Sequence, residues 1–129
     1  MPAKSSSRVF KTAWFGKAAK RARIGDVELC AAIRQVMKGQ ADDLGRGVFK
    51  KRLNDNMHRS IILAKGEHYW VYAYLFAKKD RANISPDELV AFRKLAHGYA
   101  GNTEDQLAVQ LGNGDLTEIC NGEQGKVQE

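Results

Sequence analysis

RGVFKKRLNDNMHRSIILAKGEHYWVYAYLFAKKDR, from Arg46 to Arg81, is the stretch whose reading decides the fold. Its apolar period is 2. Val48–Leu53, His58–Ala64 and Tyr69–Ala77 are rich in β-branched and aromatic residues, the composition of strands. The links NDNM and KGEH are hairpin length, so the pattern predicts an antiparallel meander of three strands. The later strands are apolar on both faces, as expected for central strands covered on two sides.

Before the meander the period is 3.6. Trp14, Phe15, Ala18, Ala19 and Ala22 recur at helical spacing between about Ala13 and Arg23, and Lys17, Lys20, Arg21 and Arg23 take the opposite face. Gly25 punctuates. Asp26 is read as the cap of a second helix whose buried stripe is Val27, Leu29, Cys30, Ile33, Val36 and Met37, closed by Gly39. The two helices form an antiparallel hairpin. Val9 and Phe10 suggest a short first strand, residues 1–7 are expected to fray, and Gln40–Gly47 is read as a loop. After the meander, Ser85-Pro86-Asp87-Glu88 is a capping-box helix start, with Leu89, Phe92, Leu95, Ala96 and Tyr99 as its stripe. Thr103–Gln106 repeats the spacing before a short helix ending at Gly112–Gly114. Leu116–Cys120 fits either helix or strand, and residues 121–129 are polar and expected to be mobile. The fold class is therefore α+β.

A chain of 129 residues fits one domain. Its charge is uneven. Residues 46–81 carry nine cations against three acids, residues 1–45 nine against four, and residues 82–129 three against eight. A concentrated positive region attracts phosphate polymers, and neutralising phosphates releases their counterions. Nucleic acid is the favoured partner class over a merely solubilising surface. Cys30 and Cys120 are too few and too far apart for a disulfide framework; Cys30, on an apolar stripe, reads as a buried free thiol, which fits a reduced cytoplasm. The N-terminus lacks a signal peptide's apolar run, and no stretch approaches the roughly 20 apolar residues of a membrane span. Three His without carboxylates at ligand spacing argue against zinc; no metal or cofactor is expected.

Several residues carry candidate chemistry. Lys50, Lys51 and Arg52 crowd one another, and like charges lower a lysine's pKa toward acid–base work. Strand parity puts Lys51 with Phe49 and Leu53 on one face, and Lys50 with Arg52 on the other; which face meets substrate stays open. His58 has the right intrinsic pKa for proton transfer, although a lone strand-end His is more often structural or merely exposed. In the aromatic run, Tyr69 and Trp70 lead as rings that could stack on unpaired bases, against the ordinary reading of such a run as core. Gly45-Arg46-Gly47 reads as a turn, since it lacks the context of a phosphate loop.

VFKKRL, HRSIIL and YAYLFAKKDRANISPDEL, in the order strand, helical hairpin, basic meander, helix, resemble the RelE/ParE superfamily of toxins from bacterial toxin–antitoxin systems. The last piece resembles the phage-derived RelE-like branch. The resemblance covers about residues 8–100 and implies a RelE-like fold in which the sheet packs on the N-terminal helical hairpin, followed by C-terminal helices. Residues 101–129 read as a C-terminal extension of a single domain spanning 1–129. What it further implies is a cytoplasmic toxin of a type II system that cleaves mRNA at the ribosome, neutralised by a cognate antitoxin in a hetero-oligomer. On the matching motifs it implies catalytic roles for Lys51, Arg59, Lys78 and Arg81. Lys50, Arg52, His58, Lys79, Tyr69 and Trp70 are then the RNA-contacting set. Lys79 reads equally well as a charge that ends an apolar strand. Two other readings stay open: a ParE-like toxin that binds DNA gyrase without nuclease activity, and a non-toxic nucleic-acid-binding prophage protein.

Overall fold

A computed structural model describes residues 7–65, 68–121 and 126–127. Its elements are β1 (Arg8–Thr12), α1 (Ala13–Arg21), α2 (Asp26–Met37), β2 (Asp42–Gly45), β3 (Val48–Leu53), β4 (His58–Lys65), β5 (Tyr69–Ala77), α3 (Pro86–Ala100), α4 (Glu104–Asn113), β6 (Leu116–Asn121) and β7 (Lys126–Val127). The strands form one sheet in the order β2-β3-β4-β5-β1-β6-β7. β1 pairs parallel with β5, and every other pairing is antiparallel. The α+β, RelE-like architecture expected from the sequence is what the chain adopts.

Each sheet face has its own core, because alternate side chains point to opposite sides. Val9, Leu53, Ile62, Trp70, Tyr72 and Leu75 pack against Phe15 of α1 and Leu29 and Ile33 of α2. Phe10, Val48, Ile61, Leu63, Val71 and Phe76 pack with Ala96 of α3 and Leu107 of α4. The helical hairpin thus covers one face and the C-terminal helices the other. Ile61 and Ile62 enter opposite cores as successive residues of a strand do, and the register shift opposite them leaves Ala73 of β5 as an extra residue, which lets Trp70, Tyr72 and Leu75 share one core.

Capping fixes the helix starts. Ser85 and Glu88 on α3, and Thr103 and Gln106 on α4, form reciprocal capping boxes. Asp26 is not a cap. Gly25 occupies that position, and Asp26 lies in the first turn with its Oδ1 2.9 Å from Lys11 Nζ, where it also suits the positive end of the helix dipole. Val27, placed on the buried stripe by its spacing, is 72 % exposed. The link after β3 turns through Asn54, Asp55 and Asn56, all at positive φ, which these short polar residues tolerate best after glycine.

Further readings from sequence are corrected or decided. The Gln40–Gly47 loop contains edge strand β2, formed by pairing with β3 from residues with little strand propensity of their own. Leu116–Cys120 is strand, held against β1 and tied by a two-pronged hydrogen bond from Arg8 to Glu118, both at 2.9 Å. Cys30 is not free. It is disulfide-bonded to Cys120, because β6 folds back beside α2 and brings the two Cα atoms to 6.1 Å. Within the tail expected to be mobile, Lys126–Val127 is strand. The remaining residues of 122–129, with 1–6 and with Gly66 and Glu67 of the second hairpin link, lie outside the described residues.

Candidate nucleic-acid interface

The register of the meander builds a row of cations at one end of the sheet. Arg52 on β3 lies opposite Arg59 on β4, which lies opposite Phe76 on β5. One step inward the row is Lys50, Ile61, Tyr74. Ile61 and Phe76 belong to the core beneath α3, so parity places Lys50, Arg52 and Arg59 on the α3 face of the sheet. Like charges directly opposite on neighbouring strands are destabilising unless an anion lies between them. Arg52 has no hydrogen-bond or ion-pair partner among the described residues. Arg59 Nη1 donates to the carbonyls of Asn56 at 3.0 Å and His58 at 3.3 Å, and no carboxylate pairs with it among the described residues. Lys50 Nζ is 3.3 Å from Asn83 Oδ1 and 3.8 Å from Asp42 Oδ2.

Arg81 closes the α3 side. Its guanidinium grips Glu88 through two bonds, of 3.1 Å and 2.6 Å. Its Nε donates to Asn83 O at 3.0 Å, and its plane lies 5.6 Å from the Phe76 ring centroid. Glu88 also accepts from the Ser85 backbone at 2.7 Å as part of the capping box. The Arg81 guanidinium, followed by that backbone bond, pulls the Glu88 carboxyl down to about 2. Arg81 is therefore a latch between the strand end and α3 as well as a cation of the row.

The remaining polar candidates surround that row. Lys51 points to the other face, where its Nζ donates to Gln40 O at 3.0 Å; burial, aided by the Arg52 charge, lowers its pKa. Lys50, Lys51 and Arg52 nevertheless share one cleft with Gln40, Ala41 and Asp42, of about 280 Å³, at the sheet edge. His58 is half-buried, with Nδ1 3.1 Å from Asn54 Nδ2. It pairs across the sheet with Leu53 and Ala77. Lys78 and Lys79 are exposed in the turn after β5, where the Lys78 N–H donates to Met57 O at 2.9 Å.

Residues 7–119 match the family model described as the RelE toxin of the RelE / RelB toxin–antitoxin system. The chain belongs to the RelE toxin family. Membership makes it a toxin-type component of a toxin–antitoxin system and implies a cognate antitoxin. No curated protein and no solved structure matches the chain significantly. The family match continues past Gly101 to Ile119, so it takes in α4 and most of β6. Among the described residues, no helix is long and apolar enough to cross a membrane.

In this RelE-family chain the aromatic candidates separate from the cations. Trp70 is 5 % exposed and packs in the core beneath the helical hairpin, with its ring 5.7 Å from that of Phe49. Tyr69 lies at the opposite end of β5 from the Arg52–Arg59 row, and its hydroxyl donates to Glu104 at 2.6 Å. Neither is brought to the cationic end. The ring placed near it is Trp14, 51 % exposed and stacked on Tyr74 at 5.0 Å; Tyr74 in turn contacts Phe76 and Phe92. Helical spacing assigned Trp14 to the buried stripe. The missed signal was its position at the very start of α1, where a side chain can lie over the sheet's rim.

Proposed function

We propose that this RelE-family toxin is an endoribonuclease that cleaves mRNA in association with the ribosome, by metal-free acid–base chemistry. The observation that carries the reading is the Arg52–Arg59 pair, two guanidinium-bearing residues facing each other across adjacent strands with no carboxylate paired to either among the described residues. A phosphodiester is the anion that such a pair accommodates, since guanidinium groups bind phosphate oxygens bidentately.

The chemistry requires few parts. The ribose 2′-oxygen attacks the adjacent phosphorus while a base takes its proton, and the bond from phosphorus to the 5′-oxygen breaks as an acid protonates the leaving oxygen. Arg52 and Arg59, with Lys50 beside them, supply charge for the phosphorane oxygens. Lys51, with its pKa lowered by burial, is a group moved toward the range useful for proton transfer; Lys78 and His58 stand at the same end of the sheet. Trp14 on Tyr74 offers a ring for an unpaired base. Association with the ribosome and with an acidic antitoxin both suit the charge of this region.

Primer extension on cellular mRNA after induction of the toxin alone, compared with Arg52→Ala/Arg59→Ala, tests the reading. New 5′ ends within translated regions that vanish in the variant are the expected result. Growth arrest with intact mRNA would move the target to gyrase or another protein, and unimpeded growth would leave a non-toxic nucleic-acid-binding protein.

A further inference from the structure

The turn between β3 and β4 is held by a side chain from the helical hairpin. Asn54, Asp55 and Asn56 take φ of 57°, 52° and 71°, and successive left-handed residues persist where their surroundings fix them. Glu28 of α2 makes such a contact, its Oε2 accepting the Asn54 N–H. A carboxylate in the first turn of a helix suits the positive end of the dipole, yet this one reaches away from its own helix to the end of a neighbouring strand. The helix is pinned at the same point. The Tyr72 hydroxyl donates to Leu29 O at 2.7 Å, and Cys30 is bonded to Cys120, so the two residues that follow Glu28 are both anchored in the core.

The same turn carries three of the residues proposed for RNA cleavage. Arg59 Nη1 donates to Asn56 O at 3.0 Å and to His58 O at 3.3 Å. Asn54 Nδ2 lies 3.1 Å from His58 Nδ1, and Met57 O accepts the Lys78 N–H at 2.9 Å. Glu28 reaches this turn from the side of the sheet covered by α2, whereas Arg59 lies on the α3 side, so the turn passes the anchorage of one face to the cations of the other. We infer that Glu28 is a positioning residue, which fixes the Asn54–Met57 turn and through it the orientation of Arg59 and His58. Its kinetic consequence rests on the proposed cleavage; its structural consequence rests on the hydrogen bonds alone. A displacement of about 1 Å at a reacting group can lower a rate on the order of a hundredfold, and supporting contacts on a rigid element prevent it. The donor at Asn54 is a neutral amide, so the tie requires an oxygen acceptor and not a charge. Gln keeps that oxygen, and Ala removes it.

Cleavage of a short synthetic mRNA held in purified ribosomes tests the inference, with the full chain compared with Glu28→Ala and Glu28→Gln well below the melting temperature of each. Glu28→Ala should lower kcat about tenfold or more while KM changes less than about twofold, because Lys50 and Arg52 still attract the substrate. Glu28→Gln should recover most of the rate. In heteronuclear NMR spectra of the same proteins, Glu28→Ala should speed hydrogen exchange at the Asn54 amide and move the His58 ring and Arg59 guanidinium signals, with Glu28→Gln close to the parent in both. A purely structural Glu28 would lower the melting temperature of Glu28→Ala but leave kcat of the folded protein and those signals unmoved, and that result overturns the inference. So does a Gln variant as slow as the Ala variant, which would make charge the operative property. If the unaltered chain cleaves no RNA, the cleavage reading falls and the NMR signals alone decide: movement in Glu28→Ala without movement in Glu28→Gln sustains the positioning role, and any other pattern overturns it.

Discussion

At the scale of single residues, the proposed function makes the Arg52–Arg59 pair a trade of stability for anion binding. Replacing Arg59 by Ala removes a cross-strand repulsion of about 0.2–1 kcal/mol, so the variant should melt no lower than the parent. It should bind a single-stranded RNA fragment about tenfold more weakly, because a hydrogen bond to a charged group contributes about 1.5–3 kcal/mol. Calorimetry and a binding titration on the same sample check both signs; a variant that loses both stability and affinity would make Arg59 a structural residue. Glu88 gives the pH counterpart. Its carboxyl titrates at about 2 when folded against an ordinary 4.5, so between those values the unfolded chain binds more protons. The stability it contributes is full above pH 4.5 and lost as pH falls toward 2. Thermal melts from pH 6 to 2 should show this loss in the parent and a shallower one in Glu88→Gln. Gln is the right replacement because Gln106 already completes the corresponding cap of α4, so the box can persist while Arg81 loses its ionic partner.

At the scale of elements, what was legible in the sequence was whatever local chemistry dictates. The meander was readable because period 2 and β-branched residues coincide in VFKKRL, HRSIILAK and YWVYAYLFA, and both C-terminal helices because their capping boxes are spelled out in adjacent residues. β2 was not, since DDLG has no strand propensity and becomes strand only through hydrogen bonds to a partner that lies later in the chain. The same limit hid which side of β3 matters. Parity separated Lys51 from Lys50 and Arg52, but only the packing of Val48 and Ile61 under α3 shows which set meets Arg59 and Arg81. Gly47 is where the elements meet most tightly, and its role is testable. Gly47→Ala must adopt φ +83 and push against Ala64 O, so denaturant melts should show a loss of about 1–2 kcal/mol or more. A neutral substitution would mean that the Arg46–Gly47 turn can draw away from Ala64 of β4 without cost.

At the scale of the whole molecule, the ends of the chain are joined in a way no local pattern announces. Two cysteines in a small chain are sparse evidence for a disulfide, and the residues around Cys120 did not reveal whether they form helix or strand. The pairing follows from topology: β1 lies in the interior of the sheet, β6 extends it on one side, and the returning strand carries Cys120 to the buried face of α2. The bond to Cys30 closes a sequence separation of 90 residues. A cross-link of that span restricts the unfolded chain and typically contributes about 2–4 kcal/mol. Cys120→Ala should therefore melt lower than the oxidised parent, by on the order of 10 °C for a chain of this size. The same variant should differ much less from the parent after reduction with dithiothreitol, since only the loss of a buried side chain then separates them. Both sulfur-bearing residues are nearly solvent-inaccessible, at 1 % and 0 % exposure, so reduction of the folded protein must wait for β6 to open. The rate of thiol appearance should thus rise with mild denaturant rather than simply with reductant concentration. Rapid reduction without denaturant would show that β6 opens readily in the folded chain, whereas equal melting of parent and variant under oxidising conditions would show that the sheet's last strands hold α2 without the covalent bond.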